Sequence, residues 1–231
     1  MQIRSLASLA CVASLALSAC NDQAGPEPSP DPQDRFWAAL SSHCGNAYAG
    51  TLASDDDADA DFQNADMVMH VRECSDDRIA IPFHVKLGGE WDRSRTWVLT
   101  RSTVAMPGTE GVTGSIQLKH DHRHADGASD AVTMYGGSTH LGDALAAEGT
   151  ARRQDFPVDA DSVALFEREG LTASVTNVWS IEVDPADKTE GVFAYQLRRT
   201  VEGGAPEERF FRVEFDLSQP VEPPPPAWGW D

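Results

Sequence analysis

Positive charge is scarce in this chain of 231 residues. It has 18 Lys and Arg against 37 Asp and Glu, which gives a formal net charge of −19. A nucleic-acid-binding surface needs clustered Lys and Arg, and a module that adheres to membranes by charge needs a polybasic segment. The composition therefore argues against both classes. The hydrophobic share of 41% suits a globular domain and is too high for a wholly disordered chain.

Familiar catalytic and ligand-binding motifs are also missing. There is no phosphate-cradling glycine loop, no H-E-x-x-H and no G-x-S-x-G. The acidic run from Asp55 to Asp61 fails as a calcium loop, because a loop starting at Asp57 would need Gly where Phe62 stands and Glu where Val68 stands. We expect a solvated hairpin loop there. These absences favour a non-enzymatic protein, with an enzyme left open.

Long hydrophobic runs are rare, and the one at residues 5–19 is too short to span a membrane. It follows Arg4 and ends in Leu17-Ser18-Ala19-Cys20, which resembles the lipobox of bacterial lipoproteins. The resemblance implies that residues 1–19 are a signal peptide and that Cys20 becomes the lipid-modified first residue. The alternative is an ordinary secretory signal cut near Ala19, leaving Cys20 free.

The lipobox resemblance also implies a location. More than one buried acyl chain gives stable anchoring, so the membrane would be a partner of the mature protein. Position 21 is Asn rather than the Asp that favours inner-membrane retention in enterobacterial lipoproteins. We therefore expect the cell envelope, and in a Gram-negative cell the periplasmic face of the outer membrane.

Only four cysteines are present. Cys11 would leave with the signal peptide and Cys20 would carry lipid, so Cys44 and Cys74 remain in an oxidising compartment. Two such cysteines most simply form a disulfide. A reactive thiol is the alternative, since His43 adjoins Cys44.

Proline marks both ends of the predicted domain. Residues 20–34 are rich in Pro and acidic residues and predict an extended tether. Residues 35–219 form a single β-rich domain in this interpretation. Residues 220–231 form a Pro/Trp-rich tail that either docks onto the domain through Trp228 and Trp230 or lies free.

Between these ends, hydrophobic residues alternate with polar ones at a period of two. The clearest runs are Ile79 to Val85 and Phe211 to Leu217, and Gly, Asp and Asn clusters separate the runs. This pattern is typical of antiparallel strands with one buried face. We therefore predict an all-β domain of nine or ten strands: an antiparallel barrel of the calycin or lipocalin type, or a two-sheet sandwich.

Two short helices interrupt the strand pattern. Phe36 to His43 can form one of them. The other covers Ser162–Glu169, with Asp159 or Asp161 as its N-cap and Gly170 as its stop.

The most distinctive cluster is the histidine group His120, His122 and His124. On an unbroken strand these three share a face with Ile116 and Leu118. Two or three imidazoles in this arrangement could bind zinc, and one could ligate haem. The alternatives are a hydrogen-bonded polar cluster at a barrel mouth and a plain solvated strand end.

Several other polar residues are candidates for supporting roles. Asp126, Asp130 and His140 could support or replace metal ligands. Arg152 and Arg153 could bind an anionic ligand together with His140, although arginines in so acidic a chain more often pair with carboxylates.

Four segments resemble an uncharacterised group of secreted proteins and lipoproteins of proteobacteria. They are His43–Gly50, Val71–Cys74, Leu118–His124 and Asp130–Gly137. The resemblance implies a shared periplasmic domain over most of residues 36–217, with no activity attached.

Three functions follow from the sequence. The leading hypothesis is a lipid-anchored binding module for a small ligand or an envelope protein. The second is a metal- or haem-binding protein, or a metal-dependent enzyme, using the histidine cluster. The third is an envelope assembly factor that uses the acidic surface and the tail.

Overall fold

The computed structural model describes residues 31–105, 112–141, 144–145 and 149–230. The predicted signal peptide, Cys20 and most of the predicted tether lie outside the described residues, so the predictions about them stay predictions. Within these ranges, no helix is long and apolar enough to cross a membrane.

Antiparallel strands make up most of the structure. They are β1 Ala47–Leu52, β2 Met67–His70, β3 Glu73–Cys74, β4 Arg78–Leu87, β5 Glu90–Ala105, β6 Val112–His122, β7 Tyr135–Ser138, β8 His140–Leu141, β9 Ala144–Leu145, β10 Arg153–Pro157, β11 Val178–Val183, β12 Val192–Arg199 and β13 Arg209–Val221. Ten of them form one path in the order β10-β11-β12-β13-β1-β2-β4-β5-β6-β7. β3 pairs with β4, and β8 pairs with β9 in a separate sheet.

The two ends of this path meet and nearly close the sheet. Gly137 in β7 bridges Val158, just beyond β10. The Asp159 N–H donates to the Gly136 carbonyl at 3.1 Å. A Cβ at position 137 would collide with the carbonyls of Phe156 and Pro157, so glycine permits this close approach. The all-β prediction is confirmed, and the architecture is the barrel rather than the sandwich.

The period-two pattern explains the barrel interior. On β4 the side chains of Ile79, Ile81, Phe83 and Val85 belong to the hydrophobic core and are at most 2% exposed. The same alternation on β13 buries Phe211, Val213 and Phe215 while the residues between them face outward. Burying one face of every strand is what drives the sheet to curl around a single core.

Helix α1, Pro32–Ser41, packs at one end of the barrel. The Asp31 side chain accepts from the Gln33 N–H, and Pro32 suits the first turn because it lacks an amide proton. Phe36, Trp37 and Leu40 are buried against the core. The cap explains why the helix begins at Pro32, before the domain start predicted at residue 35.

A disulfide joins Cys44, which follows α1, to Cys74 in β3. This confirms the predicted pairing. The bond links the turn after the helix to the sheet edge that β3 extends.

The opposite end of the barrel is here called the mouth; β6 ends there at His122 and β12 ends there at Arg199. Helix α2, Ala160–Arg168, lies at the mouth with Asp159 as its N-cap and Phe166 buried. Gly170 follows with φ +75° and ends the helical segment, as predicted. Short 3-10 helices at Asp57–Phe62 and Thr172–Thr176 complete this end.

The carboxyl-terminal tail docks back onto the outside of the barrel. The Trp228 N–H donates to the Arg93 carbonyl at 3.0 Å, and the Arg93 guanidinium donates to the Pro226 carbonyl at 2.7 Å. The Trp230 Nε1–H donates to the Asp121 carboxylate at 3.0 Å. The tail therefore crosses from the end of β13 to the outer face of β5 and β6.

Candidate functional site

A cavity of about 200 Å³ lies inside the mouth, beneath the 3-10 helix Asp57–Phe62. Aromatic side chains form much of its wall, among them Phe62, Phe83, Trp97, Tyr195 and Phe211. The polar lining residues include His120, His122, Tyr135 and Arg95. An engineered apolar cavity of about 150 Å³ holds benzene, so this space fits a ligand with one ring or two small ones.

Strand β6 brings two of the three clustered histidines to this cavity. His120 and His122 follow Ile116 and Leu118 on the inward face, as their spacing predicts, and His120 is only 4% exposed. His124 is exposed because β6 ends at His122 and the chain then turns.

His120 is held by partners on both ring nitrogens. Its Nδ1 lies 3.0 Å from the Tyr135 backbone carbonyl, and its Nε2 lies 2.8 Å from the Tyr195 hydroxyl. A carbonyl oxygen only accepts, so Nδ1 carries the proton and the Tyr195 hydroxyl donates to Nε2. The ring also stacks on Tyr135, with centroids 4.8 Å apart. These contacts fix one tautomer and one orientation.

His122 forms a second pair with the Tyr135 hydroxyl, 3.0 Å from its Nε2. Burial lowers the pKa of His122 to about 4, and the nearby charge of Arg95 adds to that shift. Burial lowers the pKa of His120 to about 3. It raises the pKa of Tyr135 to about 12 and raises that of Tyr195 well above its usual value. At neutral pH all four groups are therefore uncharged.

The cavity walls are built from ring pairs that join different elements of the fold. Trp97 of β5 stacks on Tyr195 of β12 with centroids 4.4 Å apart and ring planes 16° from parallel. Phe62 meets Phe211 edge to face at 5.3 Å. Such walls present flat apolar faces to anything that enters.

The 3-10 helix over the cavity is held in place by charge. Arg209 of β13 binds Asp56 at 2.9 Å and contacts both oxygens of Asp59, whose side chain is 1% exposed. The Ser54 hydroxyl also donates to Asp59. The prediction of a solvated loop is thus wrong at Asp59, whose side chain is buried against Arg209. The two residues are 150 positions apart in the sequence and adjacent in the barrel.

The histidines are not arranged as a three-histidine zinc site. Both nitrogens of His120 have hydrogen-bond partners, Nε2 of His122 contacts a tyrosine hydroxyl, and His124 is exposed and does not line the cavity. Among the described residues, no group of three or more His, Cys, Asp or Glu is placed to hold a metal ion. Asp126 and Asp130 instead accept hydrogen bonds from backbone N–H groups of the turn. A drug-sized ligand needs about 300 Å³ or more, so haem exceeds this cavity. The arrangement corresponds to the predicted polar cluster at a barrel mouth.

The other anion-binding candidates lie elsewhere. Arg152 pairs with Asp184 and Glu182, and Arg153 pairs with Asp155 and Glu182. Neither lines the cavity. His140 begins β8, and its side chain lies outside the described part of the structure.

No protein-family model, no curated protein and no solved structure matches this chain. The assignment of a function therefore depends on the geometry of the cavity.

Sequence reasoning missed the residues that complete the site. Trp97 and Tyr195 fit the period-two pattern of core residues, but the sequence did not mark them or Arg95 as part of a site. Arg95 does share the inward parity of Trp97, which is a signal that could have found it.

Proposed function

We propose that this protein is a small-molecule-binding barrel whose ligand, a compact planar molecule, occupies the cavity at the mouth. The observation that carries the proposal is the cavity of about 200 Å³ with aromatic walls and a few fixed polar groups. A mostly apolar cavity with a small number of oriented polar groups is the usual form of a ligand site.

The hydrogen-bonded histidines support binding over chemistry. Both ring nitrogens of His120 are engaged within the cavity wall, Nδ1 by the Tyr135 carbonyl and Nε2 by the Tyr195 hydroxyl. The rigid pairing of His120 with Tyr195 keeps the cavity wall in one shape, and a preformed site is less costly to fill.

The proposal places the domain in the cell envelope. The lipobox-like segment ending at Cys20 supports a lipid anchor, and the pairing of Cys44 with Cys74 is typical of an oxidising compartment. Helix α1 contacts β6, β10 and β11 at the end opposite the mouth. Helix α1, with which the described part of the chain begins, therefore lies at the end away from the cavity.

The test is a titration of the full chain with benzamide, a neutral planar probe, followed by calorimetry. Leu197 lines the cavity, so Leu197→Trp should fill it. Leu87→Trp, on a partly exposed position outside the cavity, is the matched control. We expect a dissociation constant on the order of 1 mM or tighter for the wild type and the control.

Binding should be lost in Leu197→Trp. Equal binding in the filled variant would place the probe elsewhere and contradict the proposal. Absence of binding to the wild type by benzamide and by other one-ring probes would also contradict it.

A further inference from the structure

Three charged side chains line the cavity, and they differ in whether they are paired with one another. The charged lining residues are Asp59, Arg95 and Arg209. Arg209 and Asp59 bind each other through several contacts and so satisfy one another. Arg95 is different, because its hydrogen-bond partner is Asp92, which does not line the cavity.

Arg95 faces inward at the mouth. It shares the parity of Trp97 on β5 and stands opposite His122 in the register of β5 and β6. Its guanidinium lies over the Phe62 ring, 5.8 Å from the centroid. Arg95 lines the cavity together with His122, Tyr135 and Tyr195.

Part of the Arg95 guanidinium has no hydrogen-bond partner among the described residues. Only Nη1 is engaged, by the Asp92 carboxylate, and no other hydrogen bond to this side chain is found in the described part of the chain. A guanidinium carries five N–H donors, and two on one edge match the two oxygens of a carboxylate. Arg95 lines the cavity, so a side chain with unused N–H donors stands at the cavity wall.

One part of the cavity wall is apolar, and the charged side chain of Arg95 lies beside it. The rings of Phe62, Trp97 and Phe211 line it, and Arg95 stands next to Phe62. The two histidines of the cavity, His120 and His122, are neutral, and each is hydrogen-bonded to a tyrosine hydroxyl. A ligand with a flat ring and one negative group would satisfy both regions at once.

We propose that the ligand is a small aromatic carboxylate, with its ring among Phe62, Trp97 and Phe211 and its carboxylate on the unused N–H donors of Arg95. This inference rests on the proposed function and names its ligand class. Asp92 keeps its own contact with Nη1 in such a complex, so binding requires no rearrangement of the ion pair.

The experiment compares benzoate with benzamide, which has nearly the same shape without the charge. Both are titrated into the full chain and into Arg95→Met, Arg95→Lys and the control Lys86→Met. Lys86 carries the same charge on the outer face of β4, away from the cavity. We expect benzoate to bind the wild type and Lys86→Met about tenfold more tightly than benzamide.

In Arg95→Met that preference should vanish while benzamide still binds, which also shows that the variant is folded. Arg95→Lys, which keeps the charge and loses the planar donor pair, should retain only part of the preference. If Arg95→Met fails to fold, the reduced preference of Arg95→Lys decides the question.

Two results would overturn the inference. Equal binding of benzoate and benzamide by the wild type, or an undiminished benzoate preference in both Arg95 variants, removes the aromatic-carboxylate class and leaves the cavity as a site for neutral ligands. Failure of both probes to bind removes the proposed function and this inference together.

Discussion

At the scale of single residues, His120 and Tyr195 show how a polar pair is accommodated in a core. The hydroxyl donates to Nε2 and the opposite nitrogen donates to a backbone carbonyl, so every polar atom of the imidazole is satisfied. His43 repeats the arrangement at the other end of the barrel, between the Tyr48 hydroxyl and the Asp184 carbonyl. Satisfied polar groups of this kind fix the core in one arrangement.

The Tyr195 hydroxyl can be removed without changing the ring. In Tyr195→Phe we expect the free energy of unfolding to fall by about 1–3 kcal/mol, because Nε2 of His120 would be left buried without a donor. Urea denaturation measures the loss. Tyr135→Phe is the control: its partner His122 is only partly buried, so water can replace the hydroxyl and the loss should be smaller. Equal losses in the two variants would contradict this account.

The positions of single residues were only partly predictable. The sequence predicts that His120 and His122 face the same side of the sheet as Leu118, because residues two positions apart share a face on a continuous strand. The exposure of His124 was not readable, because it depends on where β6 ends. The partners Tyr135 and Tyr195 lie 15 and 75 residues from His120 in the sequence. The pattern of a single sequence does not reveal which strands become neighbours.

At the scale of elements, local signals predicted most of what formed. Asp159 and Gly170 bracket α2 because capping is a local interaction. The 3-10 helix Asp57–Phe62 was missed. Asp56 caps it locally, but the ion pair of Asp59 with Arg209 of β13 joins residues that are far apart in sequence. Contacts of that kind are the part of the fold that the sequence pattern does not predict.

The docked tail is an element whose energy can be measured. The Trp230 ring lies near the guanidinium groups of Arg78 and Arg123, and its Nε1–H donates to Asp121. In Trp230→Ala we expect a loss of about 1–3 kcal/mol in unfolding free energy, from the hydrogen bond, the cation contacts and the buried ring area.

Trp91→Ala is the matched control for this measurement. Trp91 also lies near a cation, Lys86, but it has no indole hydrogen bond in the described structure. Its loss should be clearly smaller in the same urea titration. If Trp230→Ala is as stable as the wild type, the docked tail does not contribute to the free energy of unfolding.

At the scale of the whole molecule, the barrel holds several histidines in the neutral state. Burial lowers the pKa of His120 to about 3 and those of His84 and His122 to about 4. Burial also lowers the pKa of His70. In the unfolded chain these groups have a pKa near 6.5. Between about pH 6.5 and pH 4 the unfolded chain therefore binds more protons than the folded one.

This difference predicts a stability that falls with acidification. Because the unfolded state takes up the protons, unfolding free energy is highest above about pH 6.5 and decreases as the pH falls toward 4. The total loss should be several kcal/mol, since each unit of pKa difference is worth about 1.4 kcal/mol. The carboxylates with lowered pKa values, such as Asp92 and Glu182, add their own loss only at still lower pH.

Urea titrations at pH 7, 6 and 5 test the prediction, with His122→Gln and His124→Gln as a matched pair. His122→Gln removes one imidazole whose pKa is lowered by burial, so its unfolding free energy should depend less steeply on pH than that of the wild type. His124→Gln, at an exposed position outside the cavity, is the control for the substitution itself. A wild-type stability that stays constant or rises between pH 7 and pH 5 would show that the buried histidines do not control the acid response of the barrel.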